Sequence, residues 1–150
     1  MIEETNILIQ IALGSALIMG SIIIAGVFYW ALETLTKALR GWSLRPPHGP
    51  KVMVLLCLSV LMSVAILSAT IWMWAVTLRS LGIFGTLESS VFFALTAFRT
   101  LGLTENELPS AWRLLGGMAA ANGFLGFGMI TALLVESLRD LRSKQRDALE

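Results

Sequence analysis

The chain contains a short apolar run, LESSVFFALTAF at Leu87–Phe98, between two much longer ones at residues 52–76 and 114–135. A helix of a dozen residues reaches only about 18 Å and cannot cross a hydrocarbon core of about 30 Å. The two longer runs, and a third at residues 7–32, exceed the roughly 20 residues that a spanning helix needs. The pattern predicts an all-α protein with three transmembrane helices and one short re-entrant helix.

The composition is that of an integral membrane protein. Of the 150 residues, 56% are hydrophobic and only 14% are charged, whereas a soluble domain has roughly 25% charged residues. The 11 basic and 10 acidic residues nearly cancel, so the chain lacks the basic surplus that a nucleic-acid-binding protein needs. We therefore expect a lipid bilayer, and no nucleic acid, among its partners.

The sequence offers little for catalysis or metal binding. Cys57 is the only cysteine and His48 the only histidine, which excludes an intrachain disulfide, a zinc cluster and a CxxC redox site. There is no pairing of a nucleophile with a base and no phosphate-binding loop. We expect neither enzymatic activity nor a cofactor.

The basic residues predict the topology. They cluster in two segments, namely Lys37, Arg40, Arg45 and Lys51 after the first run, and Arg139, Arg142, Lys144 and Arg146 at the end. By the positive-inside rule both segments are cytoplasmic. The two long runs between them already supply two crossings, so the short run must enter and leave by the outer face. The N-terminus, with Glu3 and Glu4, is then outside and the C-terminus cytoplasmic.

Two motifs lie after the short run. Thr100-Leu101-Gly102-Leu103-Thr104-Glu105 is followed by Pro109, and residues 123–132 read GFLGFGMITA. Together they resemble the filter and the inner helix of the two-transmembrane pore-loop potassium channel family. The resemblance covers about residues 52–138 and implies a homotetramer in which short pore helices point at a common axis. The first long run is an addition outside it.

The resemblance assigns roles to individual residues. The selectivity filter, whose backbone carbonyls replace the water shell of a cation, is Thr100, Leu101, Gly102, Leu103 and Thr104. The outer mouth is Glu105 and Glu107, the hinge of the inner helix is Gly123, and the inner pore lining is Phe124, Phe127, Thr131 and Val135. These last four recur every three or four residues, so they share one helix face. The implied permeant ion is a monovalent cation, potassium or sodium, with no other metal bound.

The filter departs from the family pattern at two positions. Thr104 stands where the family has its second glycine, and a β-branched residue rarely adopts a positive φ. Leu103 stands where the family has a tyrosine that braces the filter. We expect the outer half of the filter to have a different backbone, which leaves potassium selectivity open.

Arg99 is the strongest departure, because the family has a threonine there. A helix directs partial negative charge at its C-terminus, which favours a cation in the pore, and an arginine at that end opposes this effect. Two interpretations stay open. Either the guanidinium turns aside and pairs with Glu105 or Glu107, or it forms a barrier or an anion-attracting ring.

Other patterns predict packing. Trp72, Trp74 and Trp112 fall near the outer ends of two long runs and suggest an aromatic belt. Ala12, Ala16 and Gly20 recur every four residues and predict the packing face of the first helix. Asn122 is polar within a span and should face protein or water. Gln10, near the outer end of the first helix, is expected at the interface.

The sequence thus predicts four segments. Residues 1–42 form a transmembrane helix with an interfacial extension, 43–51 a proline-rich cytoplasmic loop, 52–138 a potassium-channel-like pore domain, and 139–150 a cytoplasmic tail. The predicted function is that of a tetrameric ion channel for monovalent cations in the bacterial inner membrane. Alternatives are a non-conducting or differently selective channel-like protein and a regulatory membrane subunit.

Overall fold

The computed structural model describes residues 2–38, 48–99 and 108–147. In these ranges it contains four α-helices, one 3₁₀ turn and no strand. The helices are α1 (Ile2–Ala38), α2 (His48–Ser80), α3 (Leu87–Phe98) and α4 (Arg113–Asp147), and the 3₁₀ turn is Ser110–Trp112. The all-helical prediction is confirmed, and the short helix has the predicted bounds.

Three of the helices are long and apolar enough to cross a membrane. The segments concerned are Ile7–Ala38 in α1, Met53–Ser80 in α2 and Arg113–Glu136 in α4. Large aliphatic side chains such as Ile23 and Leu61 are exposed on their surfaces, as expected of helices that contact lipid. The described helices are therefore those of a membrane protein, with the three spanning segments that the sequence predicts.

Two helix boundaries extend beyond the predicted segments. α2 begins at His48, inside the predicted loop 43–51, so Pro50 lies in the first turn. Proline is tolerated there because the first N–H groups of a helix have no intrahelical acceptor. At the other end, α4 continues to Asp147, so much of the predicted tail is a direct extension of the third spanning helix.

The start of α3 is fixed by local hydrogen bonds. Thr86 has an extended backbone, and its Oγ1 accepts from the amide nitrogen of Ser89 at 3.2 Å. This is an N-cap, which satisfies one of the helix's unpaired donors. Glu88 in the first turn adds negative charge where the helix dipole favours it. A short helix is thus defined at the position where the apolar run begins.

The core lies where α2, α3 and α4 meet. Trp74 is completely buried, and its ring contacts that of Phe98 edge to face with centroids 6.4 Å apart. The predicted aromatic belt is therefore wrong for Trp74, whereas Trp72 is 50% exposed. Residues two apart on a helix point about 200° from each other, so the two indoles cannot share a face. Trp112 packs against the core and is partly buried.

α1 packs on α4 and α2 through a face that the sequence analysis missed. Its inward residues recur mostly at spacings of three and four, and they are Gln10, Gly14, Leu17, Ser21, Ala25 and Leu32. Ala12 and Ala16 are exposed, so they do not pack on another described helix of the same chain. Gly20 lies closer to the contact between α1 and α2, since a Cβ there would lie 3.0 Å from the sulfur of Met73 on α2.

Candidate functional site

The C-terminal end of α3 rests directly on α4, near the middle of its apolar segment Arg113–Glu136. A Cβ at Gly123 would lie 2.5 Å from the Cα and 2.6 Å from the carbonyl oxygen of Phe98. Only a glycine allows the two backbones to approach this closely. The structure thus gives Gly123 a packing role, and its role as a hinge stays a prediction.

This contact fixes the level of the α3 terminus within the molecule. The apolar segment of α4 runs over Arg113–Glu136, and Gly123 follows Arg113 by ten residues. At 1.5 Å per residue, Gly123 lies about 15 Å from one end of that segment and about 20 Å from the other. The end of α3 is therefore near the midpoint of an apolar segment long enough to span a membrane.

Arg99 is placed at this midpoint. It is the C-cap of α3, and its backbone N–H donates to the carbonyl of Leu95 at 3.3 Å. Its side chain is exposed. Glu88, Phe92, Leu95 and Arg99 are all exposed and recur at spacings of four and three along α3. They form one exposed stripe that begins with the acidic Glu88 and ends with the basic Arg99.

The four predicted pore-lining residues lie together on the exposed side of α4. Phe124 is 72%, Phe127 50% and Val135 58% exposed, and Thr131 is exposed as well. The hydroxyl of Thr131 donates to the carbonyl of Phe127 at 2.8 Å, so this face presents mainly apolar groups. Since Phe98 touches Gly123, their chain neighbours Arg99 and Phe124 lie at the same level.

The predicted filter and mouth fall outside the described residues. This applies to Thr100, Leu101, Gly102, Leu103, Thr104, Glu105 and Glu107. Their assigned roles stay predictions. The structure describes the helix that leads into this segment and the 3₁₀ turn that follows it.

Two polar contacts join α1 to α4 inside the apolar part of the molecule. The Nδ2 of Asn122 donates to the Oγ of Ser21 at 2.9 Å, and Asn122 is 2% exposed. The backbone N–H of Leu115 donates to the Oε1 of Gln10 at 3.2 Å. Asn122 thus faces protein as predicted. Gln10 is buried as well, at 5% exposed, and its place at the membrane interface stays a prediction. The burial of Gln10 could have been predicted from spacing, because helical periodicity puts it on the same face of α1 as Leu17 and Ser21.

The described residues hold no group of three or more histidine, cysteine, aspartate or glutamate side chains that could bind a metal ion. Comparison of the chain with family models, with curated proteins and with solved structures found no match. The likeness of residues 52–138 to potassium channel pores therefore rests on the sequence motifs. The structure adds two observations. Arg99 lies near the midpoint of the apolar segment of α4, and the predicted pore-lining residues lie on an exposed face of α4.

Proposed function

We propose that four copies of this chain assemble around a central ion pathway and pass monovalent cations, potassium or sodium, across a membrane. One observation carries the assembly around a central pathway, whereas the assignment of cations rests on the resemblance of the filter motif. Arg99 has an exposed side chain at the level of Gly123, near the midpoint of the apolar segment of α4.

An arginine at that depth can face lipid only at a substantial cost in free energy. Transfer of a guanidinium to the centre of a bilayer costs at least about 2.5 kcal/mol on insertion scales, and more in simulations. The surface that carries Arg99 is therefore covered by protein or faces water. A ring of copies with the ends of their α3 helices turned inward satisfies both requirements.

The exposed face of α4 supports the same arrangement. Phe124, Phe127, Thr131 and Val135 would line the pathway on the cytoplasmic side of the α3 terminus, as the family resemblance implies. Thr100 to Thr104 would supply the carbonyl oxygens that replace the hydration shell. The acidic side chains Glu105 and Glu107 would concentrate cations at the outer mouth.

The departures at Leu103 and Thr104 shape the expected selectivity. A filter without its second glycine and without its tyrosine brace should discriminate weakly between potassium and sodium. The combined change of Leu103→Tyr with Thr104→Gly should raise the preference for potassium. A native protein with strong potassium preference would show that the threonine is compatible with the family's filter backbone.

Flux into vesicles containing the purified chain tests the function. Potassium and sodium uptake should each exceed uptake by protein-free vesicles, and the particle mass in detergent should correspond to four copies. Chloride uptake larger than potassium uptake would overturn the cation assignment and favour the differently selective alternative. A chain that is monomeric and passes no ion would favour the regulatory subunit instead.

A further inference from the structure

A cleft lies beside the first turns of α3. It has a volume of about 360 Å³ and is lined by Phe84, Glu88, Ser89, Phe92 and Phe93. The rings of Phe84 and Phe93 form one wall, with centroids 5.2 Å apart. Phe92 is 65% exposed, and the Glu88 side chain is exposed. A carboxylate beside phenyl rings is the combination that binds a planar guanidinium, through charge and through stacking on the ring.

Arg113 and this cleft lie on the same side of the contact between α3 and α4. α3 and α4 touch at Phe98 and Gly123. Glu88 precedes Phe98 by ten residues, and Arg113 precedes Gly123 by ten residues. Both helices run towards the contact, so each side chain lies about 15 Å before it along its own helix. The acidic cleft and the arginine thus lie on the same side of this contact, at similar distances from it along their own helices.

Arg113 also lies on an exposed side of α4. Its side chain is exposed, and helical periodicity puts it on the same face as Phe124 and Thr131, 11 and 18 residues further on. A guanidinium carries five donors, so Arg113 can keep contacts within its own chain and still bind a second carboxylate.

We infer that the cleft at Glu88 and Phe92 receives Arg113 of the neighbouring copy. The inference rests on the proposed homotetramer, because rotation about an axis along the membrane normal leaves every residue at its own height. Each copy offers its cleft to one neighbour and its Arg113 to the other. Such a head-to-tail contact closes into a ring.

Charge reversal tests the pair. Glu88→Arg and Arg113→Glu should each raise the protein concentration at which the assembly half-dissociates in detergent by at least about ten-fold, because like charges then face each other. The two changes combined should restore the midpoint to within about three-fold of the unaltered protein. Arg79→Glu and Glu136→Arg reverse exposed charges elsewhere and should leave it unchanged. Single reversals without effect, or a combination no better than either one, would overturn the inference.

Cross-linking tests the same contact geometrically. In a Cys57→Ala background, chains carrying Glu88→Cys are mixed with chains carrying Arg113→Cys and treated with a short bismaleimide. Only a contact between copies can join the two kinds of chain, and we expect covalent mixed dimers. Both changes in one chain should give a ladder that ends at the tetramer. Arg79→Cys in place of Arg113→Cys should give no mixed dimer, and equal yields from both mixtures would refute the pairing.

The mass of the unaltered assembly separates two kinds of failure. A monomeric protein would refute the proposed tetramer, and this contact with it. A tetramer that neither reversal weakens and that yields no mixed dimer would refute the contact alone.

Discussion

The amide nitrogen of Asn122 on α4 donates to the hydroxyl oxygen of Ser21 on α1 at 2.9 Å, and both residues are buried. The same hydroxyl donates to the carbonyl of Leu17 in its own helix, also at 2.9 Å. Ser21 therefore acts as donor and acceptor at once. Because apolar surfaces provide little driving force for helix association in lipid, such a hydrogen bond helps to determine which helices pair.

Removal of the Ser21 hydroxyl should lower the free energy of unfolding by more than the loss of one hydrogen bond. In Ser21→Ala the buried amide of Asn122 loses its acceptor, and we expect a loss of about 1–3 kcal/mol in the free energy of unfolding. Adding Asn122→Leu should recover part of that loss, because the stranded donor is then gone. Denaturant titration in detergent measures both effects.

Ser63→Ala is the matched control. Ser63 is equally well buried, but its hydroxyl donates only to Ser59 in the same helix, at 2.9 Å. We expect a cost well below that of Ser21→Ala. Equal costs for the two substitutions would show that the contact between α1 and α4 contributes nothing specific.

The second prediction concerns the contact between α3 and α4. Gly123→Ala would put a methyl group within 2.9 Å of three backbone atoms of Phe98, and a backbone cannot rotate away as a side chain can. We expect a loss of about 1–3 kcal/mol, typical of an overpacked core, measured as a lowered unfolding midpoint in detergent.

Gly126→Ala on the same helix provides the comparison. A Cβ at Gly126 has no atom within 4 Å, and alanine favours a helix over glycine by up to about 1 kcal/mol. Its midpoint should be unchanged or raised. If Gly123→Ala behaves in the same way, then α3 does not rest on Gly123.

The sequence predicted the features that depend on the length of an apolar run or on the spacing of residues along a helix. The bounds of α3 follow from an apolar run too short to span, and the common face of Phe124, Phe127, Thr131 and Val135 follows from helical spacing alone. The packing face of α1 could not be predicted in this way. A helix that meets lipid is apolar all round, so periodicity distinguishes its inner face poorly, and the spacing of Ala12 and Ala16 does not identify it.

The remaining differences come from tertiary contacts. Trp74 looked like an interfacial residue because tryptophan is common there, but α3 covers it. The role of Gly123 as the seat of Phe98 depends on where a second helix ends, which no local pattern contains. Arg99 was singled out from the sequence, and its level became evident only with that contact.

The third prediction follows from the burial of Trp74. Its side chain is 0% exposed, and its indole N–H has no hydrogen-bond acceptor among the described residues. Trp74→Phe removes that N–H and keeps most of the apolar contact, so we expect a cost of less than about 1.5 kcal/mol. Trp74→Ala should cost about 3–5 kcal/mol.

Trp72→Ala is the control for that series. The residue is 50% exposed on the same helix, and its truncation should cost much less than that of Trp74. Thermal unfolding in detergent ranks the three variants. A Trp74→Phe variant as unstable as Trp74→Ala would show that the indole N–H has a partner of importance.

The fourth prediction tests the topology derived from the basic clusters. In a Cys57→Ala background, single cysteines introduced at Glu3 and at Glu107 should react with a membrane-impermeant maleimide applied to intact cells. A cysteine introduced at Lys144 should react only after the cells are opened. Labelling of position 144 from outside would contradict the even number of crossings between the two basic segments.

The last prediction distinguishes the two roles of Arg99. Four guanidinium groups around an ion path would each repel a monovalent cation by roughly 3 kcal/mol at about 5 Å and an effective dielectric of about 20. A cation pathway therefore requires that they be neutralised, and Glu105 is the proposed partner.

If Glu105 neutralises Arg99, Glu105→Gln alone should lower potassium uptake into vesicles more than Glu105→Gln combined with Arg99→Gln, because the single change strands the positive charge. The coupling between the two positions is read from the double-mutant cycle. Arg99→Gln alone should have a small effect. If instead Arg99→Gln turns a silent or chloride-passing protein into a strong cation conductor while Glu105→Gln changes little, the arginine faces the ion path. The ring of guanidinium groups would then itself set the selectivity.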